Sequence, residues 1–322
     1  MQGIFTTAAR MWGSRTARIV GPCCGKRLTI RSASNNAATQ NICLNLVRTH
    51  DKENFLCTLL LKNPQRRSAL AVRAFNVEVA KVSEKVAAGN VGVMPLKFWE
   101  NAITTLYRAQ TDGNITLPEH PVIQELARTT KEHKLSKMYF QRLVSARANA
   151  SLHFLTVQQL EDYAEQTVSS VLYLLLEVHG MRNVHCDHAA SHLGKAQGIV
   201  NLLRSLPHQS TRRTGAVPIP QQVLMEHGVN QERMVRNRRD DKGVEEVTYA
   251  LASVAFRHLE KAKGLLETVP RSVRPIFLPS VAIGRYLHRL RLANFHLTDP
   301  NVMRTDSLLP LVLYWRKLRG NY

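Results

Sequence analysis

From about residue 50 onward, apolar side chains return every three or four residues, and the every-second-residue alternation of a strand is scarce. That rhythm narrows the chain to packed helices. Leu160, Tyr163, Ala164, Thr167, Val171, Leu174, Leu175 and Val178 form one helical stripe, and Val247, Leu251, Val254, Ala255, Leu259, Ala262, Leu265 and Val269 form a second. Further helices are expected over Arg67–Ala87, Pro95–Arg108, Pro121–Arg147, Asp187–Leu206 and Ser280–Ala293. They are separated by breaks such as Asp112-Gly113-Asn114 and Thr214–Pro220. No repeat of fixed period and no Pro/Ser/Gly-rich linker divides the body, so a single all-α bundle is expected. Asn230–Gly243 (NQERMVRNRRDDKG) carries dense mixed charge and is expected to be a solvated loop.

The first 50 residues have a different composition. They hold seven Lys or Arg and no acid; the first carboxylate is Asp51. Arg10, Arg15, Arg18, Lys26, Arg27 and Arg31 lie among Ser, Thr and Ala, with Phe5, Ala8 and Trp12 at helical spacing. An Arg-rich, acid-free, weakly amphipathic start is the composition of a mitochondrial presequence, and no continuous apolar stretch follows it as a secretory signal would need. Residues 1–48 are therefore expected to be a presequence, disordered or cleaved between about Arg31 and His50, and residues 49–322 the folded domain.

The formal charge of the chain is +20, of which +13 remains beyond residue 50. Such a body favours anionic partners, anionic lipid among them. Aromatics do not interleave with a basic cluster, which argues against a base-stacking surface, and no nucleic-acid partner is expected. The longest apolar run, Val171–Leu176, is far short of the roughly 20 residues a bilayer demands, so any membrane contact is expected to be peripheral. Cys23, Cys24 and Cys43 fall in the expected leader, and Cys57 and Cys186 show no metal or disulfide spacing. His185, His188 and His192 share a helix face beside Cys186 and Asp187, but one helix closes a metal site poorly and no second cluster is evident. No Walker loop, GxGxxG, HExxH or GxSxG is present.

Three strings carry a more specific signal. AFNVEVAKVSEKV (Ala74–Val86) with GVMPLKFWENAI (Gly92–Ile103) resembles the first motif region of the squalene/phytoene synthase family. GKAQGIVNLLRSLPHQSTRRTGAVPIPQQVL (Gly194–Leu224) is similar to the second, and LEDYAEQTVSSVLYLLLEVHG (Leu160–Gly180) to the Tyr-bearing helix between them. The resemblance spans about residues 55 to 290 and implies a single isoprenoid-synthase-like helical bundle. In active members each motif helix carries DxxxD, whose carboxylates share one helical face, hold Mg²⁺ and assist diphosphate departure. Here the first motif maps onto Ala80–Glu84, leaving only Glu84 acidic. The second maps onto Ser205–Gln209, with His208 near its end and nothing acidic, although Asn201, Arg204 and Gly215 of the framework remain.

Without those carboxylates, ionisation of a prenyl diphosphate should fail by many orders of magnitude. The chain is expected to be a pseudoenzyme with no catalytic, cofactor-binding or metal-binding residues and no cofactor. SHLGKAQGIV (Ser191–Val200) further resembles a non-catalytic mitochondrial subgroup that serves respiratory complex I assembly. That resemblance implies a matrix-side protein, peripheral to the inner membrane, acting on early membrane-arm intermediates that contain the ND1 subunit. SLLPLVLYWRKLR (Ser307–Arg319) suits a membrane interface or a last helix packed on the bundle. The alternative is a residual prenyl transferase, or a protein that still binds prenyl diphosphate or isoprenoid lipid, through Arg and Lys rather than Mg²⁺.

Overall fold

The computed structural model describes residues 27–87, 94–148, 153–211, 218–236 and 241–320, with side chains described from residue 37 onward except at 86–87 and 209–211. Among the described residues every regular element is helical: α1 (Arg27–His50), α2 (Lys52–Leu59), α3 (Gln65–Ala87), α4 (Met94–Arg108), α5 (Pro121–Glu132) and α6 (Lys137–Ser145) form the first half. The second half comprises α7 (Val157–Ala164), α8 (Ser170–Val178), α9 (Val184–Ser205), α10 (Gln221–Glu226), α11 (Gln231–Arg236), α12 (Lys242–Leu265), α13 (Pro279–Leu292), α14 (Pro300–Met303) and α15 (Leu309–Arg319). Residues 1–26 of the expected leader, Gly92 and Gly215 lie outside the described residues.

The Leu160–Val178 stripe is one continuous rod, but α7 and α8 are joined through a π-turn at Glu165–Ser169. A π-turn inserts an extra residue and shifts the register of the buried face. Beyond it, α8 is buried on almost every side, from Ser170 to Leu176 and again at Val178. That all-round burial is why its sequence reads as an unbroken apolar run. Around it, α9 packs against α7, the π-turn, α8, α12 and α13.

The expected single helix over Pro121–Arg147 is two helices. His133 is extended at the end of α5, and Ser136, just before α6, gives both its N–H (2.7 Å) and its hydroxyl to the Glu177 carboxylate of α8. A tertiary carboxylate thus satisfies the donors that a continuing helix would have used. Part of the expected Asn230–Gly243 loop is also ordered. It contains α11, and Arg233 pairs with Asp241 at 2.6 Å, while the Asp241 carboxylate also caps α12 at the Val244 N–H.

The expected boundary at residues 48/49 cuts through packed structure. Within α1, Val47 is fully buried and Cys43 and Thr39 nearly so, and the helix lies on α3 and α5. Thr39 donates to Glu125 (3.3 Å), which also receives Arg67 of α3 at 2.5 Å and Arg128 of α5 at 3.0 Å. Burial alone would raise the Glu125 carboxyl, but the two guanidinium groups outweigh it and hold it below its ordinary range. Residues 39–48, which composition assigns to the leader, thus pack onto the bundle in the structure.

Candidate functional site

The two motif helices, α3 and α9, face each other across a polar cavity in two adjoining lobes. One lobe, of about 320 Å³, has Arg73, Asn76, Ala80, Lys81 and Glu84 of α3 on one wall and Gln197 and Asn201 of α9 on the other. The second, of about 370 Å³, continues from Gln197 and Asn201 past Arg204 and His208 to Tyr286 and Arg289 of α13. His50, Asp51 and Asn54 border both lobes. Of the mapped motif positions, Ala80 and Glu84 line the cavity from α3, and on the facing side Asn201, Arg204 and His208 border it rather than Ser205.

What those positions present is not a metal site. Ala80 offers a methyl group, and the Ser205 hydroxyl donates to the Leu202 carbonyl of its own helix (2.8 Å). Gln209 has no described side chain. The other carboxylates near the cavity are bound to cations: Asp51 lies 3.8 Å from Arg73, Glu53 is 2.6 Å from Arg204, and Glu78 is 3.0 Å from Lys81. Asp51 also receives Asn54 at 2.9 and 3.1 Å. Among the described residues no group of three His, Cys, Asp or Glu is arranged to hold a metal ion. Two acidic motifs on facing helices are what Mg²⁺-diphosphate chemistry requires, and these residues do not fit it.

Guanidinium groups dominate instead. Arg73 is 4% exposed and Arg147 is 7% exposed, and burial presses both down from their ordinary basicity. Arg147 is tied to Asn76 (2.8 Å) and to the Leu143 carbonyl (2.9 Å). Arg204, stacked 4.5 Å over the Tyr286 ring, is held in place by Glu53. Arg73 Nε, Arg204 Nη2, Arg289 Nε and Asn54 Oδ1 are buried and make no hydrogen bond among the described residues. Of these, the sequence reading singled out only Arg204. The available signal for Arg73 was a charged residue inside the apolar stretch Ala69–Val79.

Behind the cavity, α9 closes on α7 through Gly194 and Gly198. A Cβ on Gly194 would stand 2.1 Å from Ser169 Oγ and 2.6 Å from the Ser169 backbone nitrogen; one on Gly198 would stand 2.4 Å from Ala164 Cβ. The GKAQG string is therefore a close helix crossing in which the missing side chains let two backbones meet. The π-turn Glu165 reinforces it, accepting from Ser191 of α9 (2.7 Å) and from the Tyr173 hydroxyl.

The expected histidine face is only partly assembled. His188 and His192 meet at 3.2 Å, His192 and His258 of α12 at 2.8 Å, and His258 reaches Glu161 of α7 at 3.2 Å. His185 is exposed and stands outside this chain of nitrogens, and Cys186 is fully buried. Burial, then repulsion from His258, His188, Lys261 and Lys195, lowers His192 to about 4, so it is neutral at physiological pH. The neutral His192 ring, a donor at one nitrogen and an acceptor at the other, links His188 to His258, and with the His258–Glu161 contact this makes a polar clasp between α7, α9 and α12.

A helical bundle with two motif helices facing one cavity is the architecture of isoprenoid synthases. The chain belongs to the squalene/phytoene synthase family, whose model matches residues 47–314. It is 45% identical over 292 residues to a protein of Drosophila melanogaster named NADH dehydrogenase (ubiquinone) complex I, assembly factor 6 homolog, covering 90% of this chain and 86% of that one. To the human protein named NADH dehydrogenase (ubiquinone) complex I, assembly factor 6, it is 38% identical over 310 residues, 94% of this chain and 90% of that one. Among solved structures, a dehydrosqualene synthase in complex with ligand superposes with a TM-score of 0.74 at 16% identity, covering 89% of this chain and 97% of that one. That likeness establishes the fold.

Proposed function

We propose that this chain is a mitochondrial assembly factor for respiratory complex I that has kept the prenyl-synthase bundle without its chemistry. It acts on the matrix side of the inner membrane, in peripheral contact with it, during early biogenesis of the membrane arm around ND1. The observation that carries the reading is the pairing of 38–45% identity over nearly the full length to proteins named as assembly factors with a cavity that receives Ala80 from one motif helix and Asn201 and Arg204 from the other. The basic body suits a surface rich in anionic lipid. Among the described residues no helix is long and apolar enough to cross a membrane. Deleting the gene and resolving respiratory complexes on native gels tests the reading. Loss of mature complex I with stalled ND1-containing intermediates is expected, and intact complex I with normal assembly kinetics would overturn it.

A second reading is favoured by the cavity wall. Buried guanidinium nitrogens without a protein partner suit an anionic guest, so a prenyl diphosphate or another isoprenoid lipid could be held by arginines in place of Mg²⁺. Thermal stabilisation by farnesyl diphosphate in EDTA would support it, and no shift at millimolar ligand would dismiss it.

A further inference from the structure

The C-terminal helix α15 has two apolar faces, and the bundle uses one of them. On the inner side Leu309 and Leu313 are buried against Cys57 of α2, Leu278, and Val281 and Ala282 of α13, closing a small separate core. The start of the helix is pinned by Arg285, which grips Asp306 at 2.5 and 3.0 Å. Gly320 ends it in the left-handed conformation. The helix is thus seated, and its outer face is displayed by a fixed support.

That outer face is apolar along its length. Leu311, Tyr314, Trp315 and Leu318 stand at i, i+3, i+4 and i+7, the spacing of one helical stripe. Leu311 is 69% exposed, Leu318 62%, and Tyr314 and Trp315 more than half; Leu308, just before the helix, extends the stripe. At 100° per residue, Arg319 and Arg316 fall on one flank and Lys317 on the other, and Arg319 lies 4.4 Å over the Trp315 ring. From Ser307 to Gly320 there is no acidic residue.

Large aliphatic groups pointing into water, a Tyr and a Trp with polar edges, and cations on the flanks match the interface of an anionic bilayer layer by layer. A protein partner would need an apolar groove rimmed by acids; a bilayer surface supplies apolar chains beneath phosphate with no groove at all. We infer that α15 is the membrane-docking element of this protein, lying in the plane of an anionic phospholipid surface with Leu308, Leu311 and Leu318 in the acyl boundary and Arg316, Lys317 and Arg319 on lipid phosphates. The inference rests on the reading that the chain works at the inner membrane, and it names the surface and the lipid chemistry. The helix is too short to span, so attachment is shallow and reversible.

The test is sedimentation of the purified full chain with phosphatidylcholine vesicles containing about one-fifth cardiolipin. Binding is expected at low salt, weakening as salt rises and falling about tenfold or more on pure phosphatidylcholine. L311E/L318E is expected to lose binding at least tenfold while melting like wild type, because both positions are solvent-facing. R316E/K317E/R319E should bring binding on anionic vesicles down to the neutral-lipid level. Trp99 is 3% exposed, and fluorescence is read in a Trp12→Phe background, so a blue shift on vesicle addition that vanishes when W315F is added, with sedimentation retained, places Trp315 in the interface. The inference is overturned if wild type does not sediment with anionic vesicles, if L311E/L318E sediments as well as wild type, or if W315F keeps the shift. Each of these would leave the native-gel outcome for complex I standing, so the two failures are separable.

Discussion

Each motif helix has a back and a front, and the two are built to different tolerances. The back of α9 meets α7 with backbone against backbone at Gly194 and Gly198, and the back of α3 is clasped to α1 and α5 around Glu125. The fronts look onto a polar cavity where Ala80 and Asn201 stand beside buried arginines. The backs hold the fold and would hold it whatever lined the cavity. The fronts are where a synthase would keep its carboxylates, and there the bundle can exchange acid for arginine without disturbing its packing.

The difference can be broken most severely from the back of α3. Starting the chain at residue 38 is expected to preserve cooperative unfolding, whereas starting it at residue 49 removes Thr39, Cys43 and Val47 and should lower stability by about 4 kcal/mol or more. Denaturant titration of the two truncations measures it, and the mature N-terminus found by mass spectrometry is expected upstream of Thr39. On the back of α9, Gly194→Ala should lose about 3 kcal/mol, because the new methyl meets Ser169 backbone that cannot move alone. A thermal melt within a degree of wild type would mean that the seam is looser than the structure shows.

Glu125→Gln should lose about 2 kcal/mol at neutral pH. Its carboxyl is held below the ordinary 4.5 in the folded state, so its contribution is complete above that value and is lost as pH falls through the depressed one. The gap between wild type and Glu125→Gln should therefore close in acid; a gap unchanged from pH 7 to pH 3 would argue against the clasp. The fronts should respond least. Ala80→Asp, at the cavity wall, is expected to shift stability by no more than about 0.5 kcal/mol.

The backs and fronts were also unequally legible in sequence. Helical periodicity located α3, α4, α9, α12 and α13 to within a few residues, because each buries one long stripe. It merged α5 with α6, since the carboxylate that separates them is Glu177, 41 residues away from Ser136. It also gave the leader too much: α1 has no acid and little amphipathicity, and only Thr39, Cys43 and Val47 meeting α3 and α5 reveal that its second half belongs to the domain. At the site, the motif strings pointed to α3 and the end of α9, whose Ala80, Glu84 and Arg204 line the cavity, but Arg73, Arg147 and Asp51 were invisible as a group because they come from three separate elements. His258 escaped for the same reason, 66 residues from the His192 it touches.

The central claim is that the bundle has kept its packed backs while its cavity no longer ionises prenyl diphosphates. Its most direct test is release of inorganic pyrophosphate from farnesyl diphosphate by the purified chain with Mg²⁺, run beside the same reaction without protein. No release above the protein-free rate is expected; Mg²⁺-dependent turnover that disappears in Glu84→Gln would contradict it.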